Sequence, residues 1–584
     1  MPPGVELPGG RHELRQLVIT FRDMRPSSLP QSRVRMRSPT DQRGGMRKLG
    51  GVMRIAKDMS SWIATLAALC LAGYGNVSLA RAIDDGPVEE DEGIVVLSIA
   101  NNSGLGQFGR VAFKRVPDAN VRGGRKVDQI FNITEGLARD TAMSMGIVAA
   151  GEYTITVLAS EETSLQLNDN AQALIGTVRV EAGAVADLGR IIVTPVGSGL
   201  IVGRSGVPTS NLALIRRFWP EHAAHLDRPV VPGWTSPRAI DDRIEEYALD
   251  RPVGAEAPIE LASGEVLAAS RLGTLLARSQ SGVWRATRTG RLESLLSVAP
   301  VPSGAVDEQP AIAVAVGEYN TIARVEPDRN LTLLGSGNLP PGTLLLVGGN
   351  AESGWYVAQR QAGSRVSIYR SARLDGGDWE LLRTHSVDPK SLPALNDFLF
   401  WIWPSSNGLA YAAFEGSIHE LDYATGAWTE RKSPNGLRFI DVTGRGDGTI
   451  SAITTPGGFG WNMSKAVYVS RNGGADWTPV VMPSAIRYLP RVLPDGTLLT
   501  VAGKQVKPEL QTSTDGGATW TVMSDAFRTV ENIVVLPTRG LLAIDGGQPE
   551  QTNPYARLVL LGNARIRHSA DGGATWRVEY SSWE

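Results

Sequence analysis

Three short stretches repeat one set of chemically capable residues at one spacing: "TSTDGGATWT" (512–521), "VSRNGGADWT" (469–478) and "HSADGGATWR" (568–577). They follow S-x-D-x-G-x-x-W. Ser513, Asp515, Gly517 and Trp520 fill it, as do Ser569, Asp571, Gly573 and Trp576; Ser470, Asn472, Gly474 and Trp477 fill it with an amide for the acid. A carboxylate in a glycine turn suggests a calcium loop or a nucleophile. Calcium takes roughly six to eight oxygen ligands, commonly several acids within a dozen residues, and each turn offers a single one. Asn in the third copy serves a turn but is a poor nucleophile or hard-cation ligand. The mechanical reading fits all three. Asp or Asn accepts backbone N–H groups of its own turn, Gly supplies a positive φ, and Trp opens the next strand as a large apolar plate.

Other candidates are weaker. His222 and His225 in "PEHAAHLD" have zinc-ligand types beside Glu221 and Asp227, but a helix capped by polar side chains is the preferred reading. Asp241, Asp242, Glu245 and Glu246 lie on a helix that Ser236 caps and Pro237 begins, with Ile240, Ile244 and Tyr247 on the apolar face. Acids on the solvated face of such a helix are ordinary. Arg445-Gly446-Asp447 spells an adhesion tripeptide within a good hairpin turn. Tyr555 and Arg557 in "NPYARL" suggest a nucleophile and a clamp, or alternate positions of a strand. No nucleophile elbow, Walker loop, paired CxxC or dinucleotide fingerprint stands in a strand–helix context. No catalytic, cofactor or metal residue is therefore assigned.

The elements that must position these turns are strands. The 584 residues include 65 Gly and 35 Pro, with alternating apolar and polar runs between turn residues, so the chain reads as all-β. Trp284, Trp379, Trp428, Trp477, Trp520 and Trp576 mark turns at intervals of 95, 49, 49, 43 and 56. The long interval is close to two units, and "VEPDRNLTLL" (325–334) is a strand–turn–strand at its midpoint. Seven units of four short strands describe a β-propeller over 254–584, six units being the alternative. Ring closure must then come from packing of the end blades or from a strand donated by 198–260.

Upstream, "GIVVLSIANN", "GRVAFKRV", "GEYTITVLAS", "LIGTVRVEAG" and "LGRIIVTPVG" predict five strands of a small β-sandwich over 83–198. Residues 199–253 read as a Pro-rich linker with one helix. Residues 1–82 hold 13 Lys and Arg against 5 Asp and Glu, whereas the rest holds 45 against 55. A mildly acidic body argues against a general nucleic-acid binder. Within 1–82 an Arg- and Pro-rich start, disordered or a translation start placed too early, precedes a signal peptide. Arg54 and Lys57 form its basic region, Ile63–Ala72 its apolar core, and Ala80-Arg81-Ala82 a cleavage pattern ending at Ala82. The apolar run is too short for a stable membrane span. Cys70, the lone cysteine, falls in this segment, so the mature chain would hold together without disulfides, as bacterial exported proteins can.

The turns resemble the Asp-box (BNR) repeats of sialidase-like β-propellers, and "GEYTITV…VEAGAVADLG" resembles the carboxypeptidase-regulatory-like modules of exported bacterial proteins. The first resemblance implies a fold-stabilising role for the turns, away from a central site. It would also imply three arginines, a Tyr–Glu pair and an Asp acid if the chain were a sialidase; the usual Arg-Ile-Pro motif has only a faint echo in "PRAIDD" (237–242). The expectation is an exported binding or scaffold protein without cofactor, periplasmic, cell-surface or secreted, with a glycan or protein ligand on a propeller face. The alternative is a diverged sialidase-like glycoside hydrolase.

Overall fold

A computed structural model describes residues 86–582 apart from 104–106, 117–126, 134–136, 161–163, 197–198, 208–209, 237–240, 303–310, 363–364, 376, 388–399, 456–465, 484–488, 505–506, 525–531, 539 and 545–564. Ala82, Pro237, Ile240, Tyr555 and Arg557 lie outside the described residues.

The alternating runs of the C-terminal part fold as seven four-stranded antiparallel sheets: Glu256–Arg288, Leu295–Leu334, Thr343–Ser386, Phe400–Lys432, Arg438–Val480, Arg491–Ser524 and Asn532–Ser581. Strands pair in chain order within each sheet, as hairpin connections dictate. First strands of neighbouring sheets lie side by side, as in blades 1 and 2, 2 and 3, 3 and 4, and 4 and 5, so they line the axis and fourth strands form the rim. The expected seven-bladed propeller is therefore present. The unit without a tryptophan is blade 2, whose outer hairpin pairs Ile322–Val325 with Leu331–Leu334. Because strand direction alternates, second-to-third turns and the links between blades share one face. First-to-second and third-to-fourth turns share the other.

Each seam between blades has its own core. Trp403 and Ile418 of blade 4, for instance, meet Phe439 and Ile450 of blade 5. The turn tryptophans enter these cores against the preceding blade. Trp379 fills the seam of blades 2 and 3, Trp428 that of 3 and 4, and Trp477 that of 4 and 5. Trp520, Trp576 and Trp284 continue the series through to the seam of blades 7 and 1.

Ring closure is by packing. Blade 1 draws its strands from 256–288 and blade 7 from 532–581, so no strand is exchanged among the described residues. Trp284 packs with Leu542 and Ile566. Arg278 donates to both carboxylate oxygens of Glu579, at 2.5 and 2.9 Å, and the Trp284 indole N–H adds a bond of 3.3 Å. Glu579 is 1 % exposed at its side chain and Arg278 8 %.

The N-terminal strands form one ten-stranded sheet. Its members are β1 (Glu92–Asn101), β2 (Arg110–Arg115), β3 (Val127–Asn132), β4 (Thr141–Ala149), β5 (Gly151–Ala159), β6 (Ser164–Gln166), β7 (Thr177–Val180), β8 (Val185–Val196), β9 (Gly199–Arg204) and β10 (Val230–Pro232). The order is β10-β8-β1-β4-β3-β2-β5-β6, with β7 on β5 and β9 on β8. The sheet curls so that Val95, Phe113, Tyr153, Val178, Ile191 and Val202, from both of its ends, share one core. The other face of β1 and β4 meets a second core. β1, β4 and β8 are buried on both faces and lose the alternating pattern; β4, "TAMSMGIVA", also lacks the β-branched run that marks β1 and β8, and it is not among the five expected strands. The stretch 199–253 is more than a linker with one helix: β9 and β10 complete the sheet. Helix α1 (Asp169–Ile175) precedes this stretch; α2 (Asn211–Phe218) and α3 (Asp241–Asp250) lie within it. Ile244 of α3 is fully buried and Tyr247 half-buried, as on its expected apolar face, and Ala248 is buried beside them.

Closure by a buried ion pair gives a direct test. Glu579→Gln strands the Arg278 charge and should cost about 3–5 kcal/mol, read from guanidinium unfolding. The double variant Arg278→Met/Glu579→Leu should recover most of that loss.

Candidate functional site

The repeated turns are closed hydrogen-bonded units on the third-to-fourth-strand face. Ser513 Oγ accepts the Gly517 N–H at 2.8 Å and donates to Asp515 Oδ1 at 2.7 Å. Asp515 then accepts the Thr519 N–H at 2.9 Å and the Thr519 hydroxyl at 2.5 Å. Ser569 and Asp571 repeat this with Gly573 and Thr575. Asn472 Oδ1 accepts the Asp476 N–H at 2.9 Å, and its amide donates to Asp476 Oδ2 at 2.8 Å. The Thr519 hydroxyl and N–H, followed by Ser513, hold Asp515 well below the usual carboxylate range; the equivalent donors hold Asp571 at about 2. Gly474, Gly517 and Gly573 have φ of 90°, 97° and 102°, and a Cβ on Gly517 would meet Val480 Cγ1 at 2.7 Å. The serine has a role that sequence reasoning did not assign: its oxygen bridges the glycine and the acid. Trp520 donates to Val481 O at 2.7 Å and Trp576 to Gly573 O at 2.8 Å.

A second cluster of chemistry-bearing residues lies where the N-terminal sheet docks on the opposite face. Arg271 sits in the second-to-third-strand turn of blade 1, Glu293 in the link to blade 2, and Glu318-Tyr319-Asn320 in the corresponding turn of blade 2. Arg190 Nη2 of β8 meets Glu293 Oε1 at 2.6 Å with both side chains 1 % exposed. Arg271 Nε lies 3.3 Å from Asp140 Oδ1, again at 1 % exposure for both. Arg139 pairs with Asp140 at 3.0 Å and with Glu256 at 3.3 Å. Glu318 accepts the N–H groups of Arg139, Asp140 and Ser294 at 2.6, 2.5 and 3.0 Å. Burial would raise Asp140, but Arg139 and Arg271 hold it below the usual range, and Arg190 does the same for Glu293. Burial and the Asp140 charge push Glu318 up. Around these charges Tyr319 packs on Phe218 and Trp219, while Leu272 and Leu292 pack on Ala248 of α3. Tyr319 and Asn320 carry φ of 50° and 54°, a strained turn for residues with side chains.

A third cluster fills the seam of blades 3 and 4. His385 Nε2 lies 2.5 Å from Glu415 Oε1, and its Nδ1 lies 3.2 Å from the Tyr411 hydroxyl. Tyr411 stacks on His419 at 4.8 Å between centroids. His419 Nε2 is 3.0 Å from Ser417 Oγ, the contact a nucleophile makes with its base. Ser417 is 5 % exposed and His419 3 %, however, so no substrate reaches the hydroxyl. Burial first, then Arg383 and His385, push His419 down to about 4; burial pushes Tyr411 up to about 12. This cluster escaped sequence reasoning because His385 comes from one blade and its partners from the next, with no shared motif.

The remaining sequence candidates are placed separately. His222 and His225 lie on the 3-10 helix Pro220–Leu226, and no three His, Cys, Asp or Glu residues among those described could hold a metal together. Glu245 accepts the Gly206 N–H at 2.8 Å, a fastening to the chain after β9. Arg445 Nη2 pairs with Asp447 Oδ2 at 2.6 Å inside its own turn.

Two outcomes check these assignments. Ser513→Ala leaves a buried Gly517 N–H without its acceptor and should cost about 1–3 kcal/mol in urea unfolding, whereas Asp515→Asn, which keeps an acceptor as Asn472 does, should cost less. The unfolded chain protonates His419 near 6.5 and the folded chain only near 4. Between those values the unfolded state binds more protons, so this residue makes stability fall as pH drops from 6.5 towards 4. His419→Asn should flatten that part of a melting-temperature profile against pH.

A scan against protein-family models and a search of curated proteins each find no match. Among solved structures the chain is similar to YCF48 bound to D1 peptide, with a TM-score of 0.35 and 15 % identity over 51 % of this chain and 91 % of that one. It is similar also to YCF48 from Cyanidioschyzon merolae, with a TM-score of 0.34 and 13 % identity over 50 % of this chain and 94 % of that one. The WD40 propeller domain of Doa1 gives a TM-score of 0.31 and 10 % identity over 52 % of this chain and 94 % of that one.

Proposed function

We propose that this chain is an exported Asp-box propeller that binds a glycan or a protein ligand at, or outside, the bacterial cell envelope. The observation that carries this reading is the fate of Arg139, Arg190 and Arg271. Three arginines beside a Tyr–Glu pair are what a hydrolase of carboxylated sugars would need, because guanidinium meets carboxylate bidentately. Here each arginine meets a carboxylate of its own chain: Asp140, Glu293 or Glu256. Glu318 is bound to backbone N–H groups, and Tyr319 is 3 % exposed beneath α2. The constellation joins two modules and spends its charged groups on partners within the chain.

What stays available is the rim and the Asp-box face of a rigid ring, a surface suited to recognition. Export is supported by the basic and apolar segment ending at Ala82. No helix among the described residues is long and apolar enough to cross a membrane.

The test pairs a fluorogenic sialoside assay with a glycan array and cross-linking to envelope proteins, on one preparation of the whole chain. Ligand binding without sialoside turnover is expected. Turnover that Glu318→Gln abolishes, with far-UV circular dichroism unchanged, would replace this reading with the hydrolase.

A further inference from the structure

We infer that the cleft between blades 4 and 5 is a saccharide site and that its ligand is a neutral sugar. The inference rests on the binding reading above and narrows it to one place and one ligand class. The cleft has a volume of about 460 Å³ and is lined by Arg431, Lys432, Asn435, Tyr468, Gly474 and Trp477. Small-molecule sites occupy roughly 300–1,000 Å³ and combine apolar or aromatic walls with a few placed polar groups. Tyr468 and Trp477 supply the aromatic surface. The Asn435 amide, 3.2 Å from the Tyr468 hydroxyl, and the Arg431 guanidinium supply directional groups for sugar hydroxyls.

Charge decides between neutral and acidic sugars. Arg431 donates to Glu420 at 2.7 Å and Lys432 to Glu430 at 2.8 Å, so each cation of the cleft already has a carboxylate. An acidic ligand would have to displace one of them. A neutral ligand meets the pairs as they stand and uses their remaining N–H groups and oxygens.

Two details mark the cleft as prepared. The indole N–H of Trp477, like that of Trp379, is buried with no hydrogen-bond partner among the described residues, whereas those of Trp520 and Trp576 donate to carbonyls. Asn435 is held left-handed, at φ 56° and ψ 19°, between Pro434 and Gly436. Asn adopts this conformation readily in a turn, and here it sets the amide against Tyr468.

That backbone also provides the cleanest variant. Asn435→Gly fits the left-handed conformation without strain and removes only the amide; Tyr468→Phe removes only a hydroxyl. The whole chain is titrated calorimetrically with chitotriose, maltotriose, mannotriose and, as the acidic comparator, sialyllactose. At least one neutral sugar should bind, and more tightly than sialyllactose. Each variant should weaken it roughly fivefold, the worth of a hydrogen bond, while Asp571→Asn in blade 7 leaves it unchanged. Three results overturn the proposal: no neutral sugar binds, sialyllactose binds as tightly, or both variants bind as the parent does. In the last case the general binding reading survives with its ligand elsewhere. A protein ligand whose affinity these variants leave unchanged, with no sugar bound, likewise removes the sugar site alone.

Discussion

A four-stranded twisted sheet with apolar side chains on both faces cannot bury itself. Everything in residues 256–581 answers that constraint. Every blade relies on two neighbours, so the seams are the cores, and a ring is the arrangement that leaves no face uncovered. The repeated turn serves the seam directly. Its serine and acid lock the chain reversal, its glycine lets the reversal pass close to the preceding blade, and its tryptophan enters the shared core. Gly517 illustrates the fit: any side chain there would strike Val480 across the seam. The last seam carries an added burden, since the blades it joins are the two ends of the ring. A carboxylate gripped by an arginine and an indole stands there in place of a continuous sheet.

The second organising interaction is the junction with the N-terminal sheet. Burying charges costs several kcal/mol per ion, recovered only with close partners and satisfied lone pairs. The junction meets that condition unevenly. Glu318 gathers backbone N–H groups from both modules, while Nη1 and Nη2 of Arg271 lack a hydrogen-bond partner among the described residues. Such a network specifies one docking geometry more than it adds stability. The apolar residues around it, with Tyr319 among the aromatics of α2, supply the burial that holds the modules together.

Blade number and the tryptophan positions were legible because both are local: a turn signature, then a spacing. The unit without tryptophan was legible only by its place in the series. The N-terminal sheet was partly legible. Five of its strands, the almost wholly buried β1 and β8 among them, carry β-branched runs beside turn residues, whereas β4 reads as a run of small residues and methionines. Long-range chemistry was not legible at all. Arg190 and Glu293 are 103 residues apart and Arg139 and Glu318 are 179 apart. Neither pair has any pattern in sequence until the fold brings them together. The same holds for His385 and Glu415, separated by 30 residues and a blade boundary.

The closing seam also has a consequence in time. Trp284 and Glu579 are 295 residues apart, so the first blade leaves the ribosome long before its partner exists. At about 5–20 residues per second that interval is roughly 15–60 s. During it the seam face of blade 1, with Trp284 and the Arg278 charge, stands open to whatever else is nearby. A chain built this way gains from remaining unfolded until its last blade is complete. Crossing a membrane as an extended polypeptide and folding afterwards would supply that delay.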